Sequence, residues 1–218
     1  LVPERFTMSR IHPDRFAAAV ALATTWCDES RLPAIALQLS VGDATSGPVL
    51  LGKQHPDSDA PVRPDAIFLI ASITKPFVAM GVMRLVEWGR IGLDDRVEEY
   101  VPEFGRTGTH QVTLRNLLTH TSGLPDMLPD NRELRAAKAG LDQFVAGACR
   151  ADLSFAPGRG VQYQSMGFAL LGEIVRRVSG LPVARFLEQE FFRPLGLTDT
   201  ALGAPDDWFT GSQPKVDR

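Results

Sequence analysis

The sequence predicts an α+β fold: one helix and an antiparallel hairpin near the N-terminus, then a long, mainly helical region. Two observations carry this expectation. Two short apolar runs, Pro33 to Val41 and Pro48 to Lys53, are separated by Gly42-Asp43-Ala44-Thr45-Ser46-Gly47, which reads as two strands joined by a loop longer than the tightest turns. From Ile67 onward, apolar residues recur at helical spacing in one segment after another. With 218 residues, 44% of them hydrophobic, the chain is long enough for one good-sized core.

The first helix runs from Phe16 to Trp26, with Phe16, Val20, Ala23 and Cys27 on one face. It is alanine-rich and amphipathic, unlike the core of a signal peptide, and no stretch approaches the ~20 apolar residues that span a bilayer. The chain opens at Leu1, so a trimmed N-terminus fits and the compartment stays open. After the hairpin, Gln54 to Ala66 carries three prolines and reads as a loop. Ile67 to Ala71 is a strand-like apolar run, and Ile73 to Trp88 is apolar almost all round, predicting a buried helix that Gly89 ends. Further helices are expected near Asp95 to Tyr100, Leu114 to His120, Asn131 to Cys149, Met166 to Val178 and Val183 to Phe192. Gly123 and Gly180 supply stop signals. Asp94 and Asp95 read as helix caps, and the charges from Asn131 to Arg135 as a solvated face.

Composition excludes several functions. The net charge of −3 comes from 23 basic and 26 acidic residues mixed along the chain, so no basic stripe exists to hold nucleic acid. Cys27 and Cys149 sit in apolar helical patterns and are expected to pack as free thiols. The four histidines, at 12, 55, 110 and 120, show no paired ligand spacing, so no metal or cofactor is implied. There is no Gly-x-Ser-x-Gly elbow and no His-Glu-x-x-His helix. The nearest match to a phosphate loop, Gly42 to Gly47, continues with Pro48 where lysine is needed.

The segment Phe68-Leu69-Ile70-Ala71-Ser72-Ile73-Thr74-Lys75-Pro76-Phe77 places a serine where a strand-like run gives way to a helix. Residues three apart share a helix face, so the Lys75 amine can sit beside the Ser72 hydroxyl. Pro76 belongs in a first turn, which sets the start near Ser72 and puts the serine at the cap. A serine hydroxyl is a weak nucleophile that needs a nearby base, and an ordinary lysine, with its pKa near ~10.4, is protonated at neutral pH. Burial by Ile70, Ile73, Phe77 and Val78, with the positive end of the helix dipole, would disfavour the ammonium. A second Ser-x-x-Lys, Ser212-Gln213-Pro214-Lys215, has a helix-disfavouring proline and no apolar run after it, and reads as a decoy.

Other segments extend this motif into an ordered series. They are Gly92-Leu93-Asp94-Asp95-Arg96-Val97, Tyr100-Val101-Pro102-Glu103-Phe104, Thr113 through Leu124 (TLRNLLTHTSGL), Tyr163 through Gly172 (YQSMGFALLG) and Pro194-Leu195-Gly196-Leu197. In this order, over roughly residues 30 to 200, the chain resembles the serine β-lactamase and penicillin-binding protein-like family, meaning class C β-lactamases with their carboxylesterase and D-alanyl peptidase relatives. The resemblance implies an α/β sandwich in which an antiparallel sheet is flanked by helices. It also implies one β-lactamase-related domain over 1–218, with the helix and hairpin in 12–66 and the nucleophile helix and helical region in 67–200.

It further implies an acyl-enzyme on Ser72 with Lys75 as its partner, and places Tyr163 beside them as the tyrosine of a Tyr-x-Asn element. A phenol there can relay a proton if a neighbouring cation stabilises its anion, and Lys75 is the candidate. Tyr100, the other tyrosine, reads as a buried ring. Ser165 stands where many relatives have asparagine, at a position that contacts substrate. Serine cannot donate and accept across the same span, which favours esters over β-lactams and peptides. His120 reads as a helix-end residue bonding terminal carbonyls, not a base.

The family's late Lys-Thr-Gly or His-x-Gly element has no match after Tyr163. Lys138-Ala139-Gly140 matches in letters but precedes the tyrosine within a helical pattern. A two-stranded sheet is marginal alone, so a C-terminal segment or a second polypeptide is expected to complete it. The leading reading is a carboxylesterase or related acyl transferase acting on a small ester or amide. Its rivals are a β-lactamase, a D-alanyl-D-alanine carboxypeptidase and a non-catalytic binding protein on the same scaffold.

Overall fold

The computed structural model describes residues 11–106 and 108–210; the Ser212 to Lys215 motif lies outside them. Of the described residues, 11–68 with 207–210 form one compact unit and Leu69–Asp206 a second.

In the first unit, helix α1 (Pro13–Asp28) begins on a proline, which has no helical N–H to lose. Its Phe16, Val20 and Cys27 are half-buried and Ala23 buried, so the expected face is the one that packs, against β1 (Ala34–Leu37) and the partner strand of β1. The hairpin is longer than the sequence pattern suggests. Beyond β1, β2 (Ser40–Val41) pairs antiparallel with β3 (Ala44–Thr45), and β4 (Val49–Gly52) returns alongside β1 with Ile35 opposite Leu51. Only Gly42 and Asp43 form the tip, because Gly42 takes a left-handed φ of 60° that lets the chain reverse in two residues. Ser46 joins the two strand pairs, its N–H donating to the Leu39 carbonyl at 2.9 Å and its hydroxyl accepting from the Leu39 N–H at 3.1 Å.

The second unit is helical. A 3-10 turn over Ala71–Ile73 runs into α2 (Thr74–Glu87); α3 (Val97–Tyr100), α4 (Leu114–Leu118), α5 (Asn131–Ala136) and α6 (Leu141–Arg150) follow. Then come α7 (Met166–Ser179) and α8 (Val183–Leu187), the latter continuing into one π-helical turn, Glu188–Phe192. Helix α7 is the centre. It packs on α2, α4, α6 and α8 and buries Leu170, Leu171, Ile174 and Val175 completely. Gly180 ends it in the left-handed conformation, as the stop signal predicts.

Four expectations need correction. The segment Ile73 to Trp88 is buried on one side only: Val78, Val82 and Leu85 of α2 face the core, while Met83 and the flanking Ile73 and Trp88 are exposed. The segment from Asn131 to Cys149 is two helices, because Lys138 takes a left-handed φ of 53° and Gly140 re-enters in extended conformation to start α6. Asp94 and Asp95 cap nothing. Asp94 receives both arms of Arg115 at 2.7 and 2.8 Å, and Asp95 accepts from the Gly92 N–H and from the Tyr100 hydroxyl. Burial, and after it that hydroxyl contact, push the Tyr100 phenol up. Arg132, Glu133 and Arg135 are exposed as expected, but Asn131 is buried.

The antiparallel hairpin and helical region match the expected α+β class. Cys149 is buried, Cys27 half-buried, and both are free thiols; burial raises the Cys149 thiol above its ordinary value. Among the described residues, no helix is long and apolar enough to cross a membrane.

Candidate active site

The site is assembled from the start of α2, the turn after α4, and the chain entering α7. Ala71 carries a left-handed φ of 45°, a strained conformation for a residue with a Cβ, and it turns the chain into the 3-10 turn that presents Ser72 at the surface. Ser72 therefore lies inside that turn and not at the helix cap. One turn on, in the first turn of α2, Lys75 places its amine 3.2 Å from Ser72 Oγ.

The same amine lies 2.6 Å from Tyr163 Oη and 3.2 Å from Ser165 Oγ. All four expected site residues thus meet at one nitrogen. The lysine is flanked by aromatic rings, Tyr163 at 4.5 Å and Phe168 at 5.8 Å from Nζ to the ring centres. Ile70 and Ile73, expected to bury it, are exposed.

Tyr163 is held by its neighbours on either side. Gln162 donates its N–H to the His120 carbonyl at 2.9 Å, and the Gln164 N–H donates to His120 Nδ1 at 3.2 Å. The Gln164 side chain is wholly buried; it donates to the Leu117 carbonyl at 3.0 Å and accepts the Gly167 N–H at 2.7 Å. His120 itself has a left-handed φ of 60°, and its ring packs on Tyr163 and Phe168. It is structural, as the sequence suggests, but it secures the tyrosine segment and not the end of its own helix.

Ser165 is the residue before α7, and its hydroxyl does not cap that helix; it donates to Asp126 Oδ1 at 2.7 Å. Asp126 was not singled out from the sequence. The available signal was an acidic side chain at a chain reversal, three residues past Gly123, whose φ of 84° and close approach to the Phe155 carbonyl exclude any Cβ.

The electrostatics follow from these contacts. Hydrogen bonds from Lys75 and then Ser72 hold the Tyr163 phenol below its ordinary value, while the Asp126 charge opposes them. Burial, and after it the Lys75 charge, push His120 down, which favours the neutral imidazole. Chemically, a hydroxyl, an amine and a phenol with a lowered pKa share one proton network, the arrangement needed to activate a hydroxyl nucleophile.

Comparison with known proteins identifies the family. The sequence matches the Beta-lactamase family model over residues 24–213. It is 37% identical over 158 residues to esterase EstB of Burkholderia gladioli, covering 66% of this chain and 40% of that protein. It is 33% identical over 150 residues to penicillin-binding protein 4* of Bacillus subtilis, covering 65% of this chain and 32% of that one. The chain therefore spans roughly a third to two fifths of the length of these relatives. The fold superposes on an octameric penicillin-binding protein homologue from Pyrococcus abyssi with a TM-score of 0.73 and 26% identity, over 84% of this chain and 43% of that one. Because the family match extends over most of the sequence and takes in Ser72, Lys75, Tyr163 and Ser165, the chain belongs to the beta-lactamase family.

Proposed function

We propose that the protein is a serine hydrolase that forms an acyl-enzyme on Ser72 and acts most readily on carboxylic esters. The observation that carries this is the Lys75 amine, in hydrogen-bond contact with Ser72 Oγ and also with Tyr163 Oη from 88 residues away. In this reading, Ser72 Oγ attacks the ester carbonyl as its proton passes into the Lys75–Tyr163 pair. The Tyr163 hydroxyl then protonates the departing alkoxide, and a water hydrolyses the acyl-enzyme through the same pair. The N–H of Ser72, at the open start of a helical turn, is one donor for the oxyanion. A second donor, and the remainder of the sheet, are assigned to a part of the protein outside this chain or to a partner polypeptide.

Preference for esters is supported by Ser165, whose only proton is given to Asp126, so it has none left for a substrate carbonyl. The likeness to esterase EstB supports the same preference. The test is intact-mass analysis of the full-length protein after mixing with a fluorophosphonate, an activated ester or a penicillin. A single adduct that maps to Ser72 is expected from the first two. A label on another residue, or none, would overturn the reading, and a stable penicillin adduct with no ester turnover would move it to a penicillin-binding protein.

A further inference from the structure

We infer that Asp126 is a positioning residue that fixes which neighbours of the Lys75 amine can give it a proton, acting through the Ser165 hydroxyl. The inference deepens the hydrolase reading above and rests on it.

Among the described residues, Lys75 Nζ has three oxygen neighbours: Tyr163 Oη at 2.6 Å, Ser72 Oγ at 3.2 Å and Ser165 Oγ at 3.2 Å. An ammonium has three N–H donors, so these three oxygens satisfy it completely. A neutral amine has two donors and one lone pair, so one of the three must then donate to nitrogen. All three are hydroxyls, and each is in principle capable of this.

Asp126 removes one of them. A carboxylate can only accept, and its Oδ1 lies 2.7 Å from Ser165 Oγ, so the single Ser165 proton points at Asp126 and away from Lys75. Ser165 is then a pure acceptor towards the lysine. The lone pair of the neutral amine is left to Ser72 and Tyr163, the two groups whose protons move during acyl transfer. Without the carboxylate the Ser165 hydroxyl can rotate and donate to Nζ, occupying the lone pair with a proton that takes no part in the reaction.

The segment that carries Asp126 is fixed. The Gly123 carbonyl accepts the Ser154 N–H at 2.8 Å, the Leu124 N–H donates to Ser122 Oγ at 3.1 Å, and the Leu124 side chain is wholly buried. The Asp126 charge also reaches Tyr163. The groups facing that phenol are Lys75 and Ser72 from the start of α2, His120 from the turn after α4, and Asp126, with Phe168 of α7 beside Lys75 and His120. Asp126 is the anion in that set.

The experiment measures single-turnover acylation by a p-nitrophenyl ester in the full-length wild type, Asp126→Ala, Ser165→Ala and the double variant. Asp126→Ala is expected to slow acylation about 10- to 100-fold, the range for losing a hydrogen bond to a charged group. On the plateau of the pH–rate profile, the double variant should be no slower than Ser165→Ala alone, since the part of the Asp126 effect carried by the Ser165 proton is already gone. The acid limb of the pH–rate profile should move to lower pH in Asp126→Ala, where an anion facing Tyr163 is lost, and stay in place in Ser165→Ala. A merely structural role would move neither limb. Asp126→Asn, which keeps an acceptor for Ser165 at the same size, covers the case in which the alanine variant misfolds; it should lose much less rate and still show the shifted limb. Wild-type acylation rates in folded Asp126→Ala, additive losses in the double variant, or an equal loss in Asp126→Asn would each overturn the inference while the hydrolase reading stands. A wild type that neither turns over ester nor takes label on Ser72 would remove both.

Discussion

The Gln164 N–H donates to Nδ1 of His120 at 3.2 Å, so the folded chain selects an imidazole that is neutral and carries its proton on Nε2. Protonation would put a hydrogen where the Gln164 N–H now points. Burial and the nearby Lys75 charge act in the same direction, holding the folded-state pKa below the ordinary 6.5. A depressed group contributes stability that is present above its unfolded pKa and is lost as pH falls through the folded value. The thermal midpoint should therefore fall as pH drops below about 6.5, and this slope should shrink in His120→Asn. Asparagine tolerates the left-handed φ of 60°, so the variant tests the ring and not the turn. An unchanged pH slope would remove His120 from this role.

Lys75→Ala and Tyr163→Phe should each slow acylation by ~10²- to 10⁴-fold, the usual cost of losing a proton-transfer group. The two losses should not add, because both residues bind the same proton network through the 2.6 Å contact. Rapid-quench kinetics on the single and double variants would check this. Full additivity would mean that they act in separate steps.

Substrate preference should follow the Ser165 proton. Short-chain p-nitrophenyl esters should be cleaved much faster than penicillins, because a hydroxyl committed to Asp126 cannot also donate to an amide carbonyl. Ser165→Asn supplies an NH₂ donor and should narrow the ratio of the two kcat/KM values. A wild type that hydrolyses penicillins as fast as esters would show that recognition lies elsewhere.

Glu173 ties α7 to the segment after α3. It accepts from Arg176 at 2.7 Å and from Arg177 at 2.6 Å, and Arg177 reaches on to the Tyr100 carbonyl and Glu103. These bonds, Arg176 first, hold its carboxyl down to about 2. The folded pKa is depressed, so the contribution is complete above about 4.5 and is lost as pH falls towards about 2. Glu173→Gln should lower stability at neutral pH by about 1–3 kcal/mol and flatten that acid transition. Urea denaturation at several pH values would measure both.

The parts of this site legible in the sequence were those with a local cause. Ser72 and Lys75 lie one helical turn apart, and Gly123 and Gly180 mark positions where only a left-handed residue serves. The break between α5 and α6 was not legible, because Lys138 is a residue with no preference for the left-handed φ of 53° that it takes. Tyr163 came from the ordered series of motifs, since nothing in local spacing joins it to a lysine 88 residues away. Asp126 was missed for a related reason: its meaning lies in a bond to Ser165, 39 residues on, and a lone acidic residue in a turn is ordinarily solvated. Burial of the segment Ile73 to Trp88 was overestimated because an apolar pattern records what a helix can bury, and Ile73 and Met83 are exposed in the structure.

Two glycines in α7 separate what the helix needs from what the site needs. Replacing glycine by alanine inside a helix ordinarily stabilises it by about 1 kcal/mol. Gly172→Ala should follow this rule, because a Cβ there would meet Leu141 and Val183 at 3.6 and 3.8 Å, ordinary van der Waals contact. Gly167→Ala should reverse it. A Cβ at that position would overlap the Gln164 side-chain amide, which is fully buried and bonded at both ends, to the Gly167 N–H and the Leu117 carbonyl. The amide cannot swing aside without leaving buried polar groups unpaired, so overpacking and broken hydrogen bonds together should cost about 1–3 kcal/mol. Because Gln164 directly follows Tyr163, the shift should also lower kcat, an effect Gly172→Ala should lack. Thermal unfolding and ester turnover of the two variants make the comparison. A Gly167→Ala protein as stable and active as Gly172→Ala would mean that the Gln164 clamp does not position the tyrosine.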